Sequence, residues 1–310
     1  MIQARAAAGL APAAFEGRLA MTQARDQTTL NRPARTGCYD CVLVHVEPGL
    51  ASSRRTEVAA GLAKRFGARL IGLEAETVEP IPVADPYGAE MTAQVFDQLA
   101  HEVDANLERA EESFRRDGAE ADGEWRAARM APADALVLLS RAADLIVMGA
   151  GSPPINAFRV ADPAEVVLRA GKPVLVAPAD PPAPHPRAVV IAWKDTRESR
   201  RAVADALPLL ADADDVVVMS VCTEAQVDDS RTSTQDVVDA LRRRGVPARA
   251  HVVTAPDGSV ADELNAEAAA IGANLIVAGA YGHSRLAEWV FGGVTRALLS
   301  HPTRYLLLSH

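Results

Sequence analysis

Four glycines at close spacing carry the clearest chemical signal in this chain. Gly279-Ala-Tyr-Gly282 is followed by nine residues, His283 to Phe291, and then by Gly292-Gly293 in front of Val294 and Thr295. Gly279 and Gly282 permit turns at positive φ and let backbone N–H groups face a ligand. Gly292 and Gly293 leave the first N–H groups of a following helix uncovered. Such a nest binds an anion, phosphate above all. The same glycines also serve tight turns and close helix packing, and spacing alone leaves both roles open.

Lys194 and Asp195 end an apolar run, Ala188 to Trp193, and are the other charged candidates. A lysine there pairs with phosphate or lies solvated along the strand end. His283 and Ser284 fall inside the glycine loop, but no acidic partner accompanies them, so a Ser-His nucleophile is not expected. Neither a G-x-x-x-x-G-K-[ST] loop nor a pair of acidic metal ligands stands beside the glycines. Gly149-Ala-Gly151 lacks the third glycine of a dinucleotide fingerprint. Cys38-x-x-Cys41 has no further pair of ligands for zinc, and Cys41 opens an apolar run, which reads as a small core position. His45, Trp193 and Trp289 read as packing residues, with His45 satisfied in the core or at an edge.

A glycine loop needs a strand before it and a helix after it, and the chain supplies that order twice. Apolar runs at Cys41–Val46, Ala68–Glu74, Asp144–Gly149 and Pro173–Ala177, with a strand near Glu124–Arg129, alternate with helical patterns at Ser52–Phe66, Glu90–Asp117, Pro132–Ala143 and Asp162–Ala170. After a connector rich in Pro and Ala, strands are predicted at Ala188–Trp193, Val216–Val221, Val246–Thr254, Asn274–Ala278 and Arg304–Leu308. Helices are predicted between them at Thr196–Leu210, Thr232–Arg244, Ser259–Ile271 and Val294–Ser300. Asp144–Ser152 matches Asn274–Gly282 at an offset of 130 (274 − 144), and Val167–Val176 matches Leu298–Leu307, leading into the last strand, at 131 (298 − 167). The chain is an internal duplication. Strands apolar throughout their length imply parallel sheets covered on both faces, with ligands at the strands' carboxyl ends where strand order reverses.

The expected organisation is a disordered tail over 1–36, one domain over 38–178, a linker over 179–187 and a second domain over 188–310. The 310 residues suffice for two cores, and a formal charge of −9 argues against nucleic acid or a basic membrane-binding face. No apolar run approaches the roughly 20 residues of a membrane span, and three scattered cysteines fit a reducing compartment. A cytoplasmic protein is expected.

Gly-x-x-Gly, nine residues, then Gly resembles the nucleotide loop of the universal stress proteins. Ala192–Leu210 is similar to the first strand and helix of that family, and Gly279–Leu299 to a form found in its tandem members. The resemblance implies a stress-response role, two doubly wound α/β domains of five parallel strands each with helices on both faces, and intrachain pairing of the domains through their last strands; a homodimer of chains is left open. It also implies ATP or AMP at Gly279, Gly282, His283, Gly292, Gly293, Val294, Thr295, Lys194 and Asp195, without dedicated catalysis and without a metal. The sequence departs from the family pattern twice. Gly293 stands where Ser or Thr usually follows the third glycine, leaving Thr295 as the nearby hydroxyl. Lys194 stands where an aspartate usually contacts the nucleoside, with Asp195 one residue on. A nucleotide-free scaffold and a slow nucleotide hydrolase are the alternatives. In the first half, Ser152, Asp162 and Pro163 replace Gly282, Gly292 and Gly293 at the 130-residue offset. A phosphate about 5 Å from Asp162 would meet about 3 kcal/mol of repulsion at an effective dielectric near 20, so nucleotide is expected in the second half alone.

Overall fold

The structure is a computed structural model and describes residues 38–47, 49–79, 89–121, 123–151, 156–182, 186–255, 260–281, 293–300 and 302–310. The expected tail lies outside them.

Each half builds five parallel strands. In the first, β1 (Cys41–His45), β2 (Arg69–Ala75), β3 (Gly123–Ala128), β4 (Leu145–Gly149) and β5 (Val174–Ala177) are connected by α1 (Leu50–Phe66), α2 (Ala89–Asp117), α3 (Pro132–Leu139) and α4 (Pro163–Ala170). In the second, β6 (Ala188–Ala192), β7 (Asp215–Cys222), β8 (Ala248–Thr254), β9 (Leu275–Gly279) and β10 (Tyr305–Ser309) alternate with α5 (Arg197–Leu210), α6 (Val227–Arg242), α7 (Val260–Ala270) and α8 (Gly293–Ser300). The inner strands are buried on both faces because they are almost wholly apolar, as in Val42-Leu-Val and Leu306-Leu-Leu, whereas the edge strands β3 and β8 are only partly covered. The helix α6 begins at Val227, five residues before the expected Thr232. A Thr223–Gln226 capping box leads into it through a short 3-10 turn, and Asp228 and Asp229 in its first turn suit the positive end of the helix.

The two five-stranded sheets join edge to edge as one ten-stranded sheet in the order β3-β2-β1-β4-β5-β10-β9-β6-β7-β8. The junction is antiparallel, with Leu306 opposite Val176, Leu307 opposite Leu175 and Leu308 opposite Val174. On each face one apolar cluster runs through both halves, beneath α1, α2, α5 and α6 on one side and α3, α4, α7 and α8 on the other. Because the junction is antiparallel, the strands' carboxyl ends in the two halves point to opposite ends of the sheet. Two sites at those ends could not share a ligand. The Tyr39 hydroxyl donates to the Asp205 carbonyl at 2.6 Å, and Arg65 pairs with Asp212 at 2.6 Å, clipping the halves together. Among the described residues no helix is long and apolar enough to cross a membrane.

Without its partner, either half would expose β5 or β10 as a bare apolar edge. Residues 38–178 or 186–310 expressed alone are therefore expected to self-associate on size exclusion, whereas a stable monomer of either half would contradict a structural role for the junction.

Candidate functional site

In the second half the strand order reverses between β6 and β9, so a crevice opens at their carboxyl ends. The chain leaving β6 runs Trp193-Lys194-Asp195, and the chain leaving β9 runs Ala280-Tyr281. Lys194, Asp195 and Gly279 are thus brought to one place. Lys194 is exposed and has no ion-pair partner among the described residues. Asp195 is bound by Arg200, whose Nη2 and Nε donate to Oδ1 at 2.6 and 3.0 Å. Trp193 is buried, and its Nε1–H donates to Ser233 Oγ at 3.3 Å, so packing holds the ring.

Gly279 meets the N-terminal turn of α5. A Cβ built there would lie 2.5 Å from Ser199 N and 2.6 Å from the Glu198 carbonyl carbon, so glycine is required for the helix to approach the strand. Of the two roles open to this residue in the sequence, close packing is the one visible here. Thr196 caps α5 by accepting the Ser199 N–H at 3.3 Å. Tyr281 turns at φ 56°, the one non-glycine residue at positive φ among those described. Its phenol is pushed up to about 12 by burial, with Asp162 adding to the shift and Arg296 opposing it.

Gly293, Val294 and Thr295 open α8. Among the described residues a Cβ at Gly293 would meet nothing within 4 Å, whereas Thr295 is buried. Gly282, His283 and Gly292, with Ser284 and Trp289, lie outside the described residues.

Glu198 was missed in the sequence. It is 2% exposed beside Gly279, takes a bond from Arg197 Nε at 2.5 Å, and leaves Oε2 without a hydrogen bond. Burial works to raise its carboxyl, but bonds from Arg197, its own backbone N–H and Thr196 more than reverse this and hold it low. An acidic residue two positions after a Thr cap was the available signal.

The first half has the corresponding crevice between β1 and β4, and it is filled. Arg55 of α1, 3% exposed, donates from Nε to the His45 carbonyl at 3.0 Å and from Nη2 to Ser52 Oγ at 3.1 Å, and its Nη1 occupies the space a side chain at Gly149 would take. Glu47 stands 3.4 Å from Nη2. Pro163 opens α4, and Asp162 accepts the Ala164 N–H at 2.9 Å, so this helix end is satisfied by its own residues. His45, read from sequence as a satisfied histidine, is buried with Nδ1 2.9 Å from Glu47 Oε1 and Nε2 without a hydrogen bond; the acidic neighbours around it come from a different strand and a turn, which periodicity does not reveal.

The sequence profile of the Universal stress protein family matches residues 39–178 and 186–308. No curated protein matches the chain. Among solved structures, a universal stress protein from Archaeoglobus fulgidus superposes with a TM-score of 0.64 at 14% identity, covering 87% of this chain and 95% of that one. A functionally unknown protein from Pseudomonas aeruginosa gives a TM-score of 0.52 at 17% identity, covering 87% and 92%. At these identities the likeness is one of fold.

Proposed function

This chain belongs to the universal stress protein family, and we propose that it is a stress-response module holding one adenine nucleotide, ATP or AMP, in the crevice of its second half without dedicated catalysis. The observation that carries this reading is the convergence of the unpaired Lys194 ammonium and the turn after Gly279 at the β6/β9 reversal. Lys194 supplies the positive charge and backbone N–H groups the directional donors for phosphate. The first half lacks this combination, because the Arg55 guanidinium already stands in its crevice and Asp162 closes the helix end.

A nucleotide-free scaffold is the second reading. It is favoured by Asp195, whose carboxylate is already engaged by Arg200, and by Glu198, whose buried charge beside Gly279 would oppose an anion. Mass spectrometry of freshly isolated protein for retained nucleotide, followed by calorimetric titration with ATP, separates the two. Saturation near one nucleotide per chain is expected. Gly293→Ala should then weaken binding about tenfold or more while leaving the melting temperature unchanged, since among the described residues the new methyl meets nothing within 4 Å and would stand in the space given to the ligand. No retained nucleotide and no heat of binding would establish the scaffold reading instead.

A further inference from the structure

At the carboxyl ends of β1 and β2 the first half buries five ionisable side chains that the nucleotide reading does not use. His45 and Glu74 are 0% exposed and Glu76 2%. Arg55 and Glu47 stand beside them, Glu47 with 23% of its side chain exposed. His45 Nδ1 lies 2.9 Å from Glu47 Oε1, and His45 Nε2 lies 3.8 Å from Glu74 Oε2. Neither oxygen of Glu74 makes a hydrogen bond.

The groups facing Glu74 can be paired off by element. On β1 and α1, Glu47 is matched by Arg55 at 3.4 Å. On β2, Glu76 is matched by Arg159 of the turn before α4, whose Nε lies 2.8 Å away, and by Asn106 of α2, whose Nδ2 donates at 2.8 Å. Arg109 of α2 is bonded to Asn106 rather than to a carboxylate of the cluster, and Arg159 also reaches Glu102 at 3.1 Å. On β3, Arg126 is bonded to Glu124 at 2.7 Å, and β4 carries no ionisable side chain. Two guanidiniums therefore neutralise two of three carboxylates. The third carboxylate then leaves a net negative charge beside the His45 ring, in a region shielded from solvent. One added proton closes the balance.

We propose that Glu74 holds that proton beside His45, so that the first half carries a buried proton-binding site linked to its folding. The proton resides on the Glu74 carboxyl, and its loss leaves an uncompensated buried carboxylate. A metal ion does not fit here, because among the described residues no group of His, Cys, Asp and Glu has the arrangement to hold one. The environment favours the protonated form of Glu74. Its burial, and then the charges of Glu47 and Glu76, raise its carboxyl well above 4.5, against Arg55.

The sign of the linkage follows. The folded chain keeps the proton at a pH where the unfolded chain has released it, so stability is full below the unfolded value of 4.5 and is lost as pH rises from there through the folded value. Thermal unfolding of the full chain across that window tests this. Wild type is expected to lose several degrees of melting temperature toward the alkaline end, and Glu74→Gln, which keeps the shape and removes the titration, should abolish the loss and melt above wild type there. Parallel profiles for the two proteins would overturn the proposal. Carbon-13 NMR of the glutamate carboxyls in wild type decides the matter should the variant not fold. One carboxyl titrating far above the others is expected, and every carboxyl titrating in the ordinary range would refute the buried proton on Glu74.

Discussion

Gly279→Ala is expected to destabilise the protein by about 2–4 kcal/mol, through overpacking of a junction that cannot relax. The added Cβ would fall 2.5 Å from Ser199 N, 2.6 Å from the Glu198 carbonyl carbon and 3.0 Å from Glu198 Cβ. Two of these are backbone atoms in the first turn of α5. That turn is held by the Thr196 cap, and Glu198 behind it is 2% exposed, so the helix would have to withdraw as a body from β9. At about 2–4 °C per kcal/mol for a chain of this order of size, a melting curve resolves the effect easily. Gly293→Ala is the internal control, because its Cβ meets nothing within 4 Å among the described residues. A Gly279→Ala protein melting within about 1 °C of wild type would show that α5 does not press on the strand as described.

Arg55→Ala is expected to cost about 3–5 kcal/mol at neutral pH, because it strips the partner from a largely buried carboxylate instead of removing both charges. The variant loses the bonds to the His45 carbonyl and Ser52 Oγ and leaves Glu47 facing His45 alone. Burial by itself would raise the Glu47 carboxyl, but Arg55 first and His45 second more than reverse that and hold it at about 2. A carboxylate depressed in the folded state contributes stability above its unfolded value of 4.5, and that contribution fades as pH falls toward 2. The gap between wild type and variant, measured by denaturant titration, should therefore be widest near neutrality and narrow through this acid range. A gap independent of pH would sink the argument. Emptying the crevice should not create a second nucleotide site, since Asp162 still caps α4 and Pro163 still lacks its N–H. Two equivalent sites in Arg55→Ala would contradict the assignment of ligand binding to the second half.

The two crevices differ in how far they could be read before the chain was folded. Asp162 and Pro163 were legible as a self-satisfied helix start, because capping is a local interaction between neighbours in sequence. Arg55 was not, since it appears as one of two adjacent arginines on an amphipathic helix, and nothing local distinguishes it from the half-buried Arg54. Only the packing of α1 across β1 and β4 turns it into the occupant of the crevice. Glu74 was hidden in the same way, at the end of an apolar strand run where an acidic residue usually marks the exit to solvent. Its burial follows from α2, whose 29 residues place Asn106 over the strand ends, and from the turn that carries Arg159.

Local and periodic information sufficed for the alternation of strands and helices, the duplication at an offset of 130 and the family, because each is written in neighbouring side chains or in repeats of them. The union of two sheets at β5 and β10 could be expected once both last strands were seen to be apolar, but their antiparallel register and the opposed direction of the two crevices belong to the folded chain. Gly279 shows the limit most clearly. Its spacing suits a phosphate loop, and its neighbour in space is the backbone of a helix some 80 positions earlier in the chain. Periodicity reports which face of an element is apolar; which element comes to cover that face, and which charges it buries there, is settled by contacts between residues far apart in sequence.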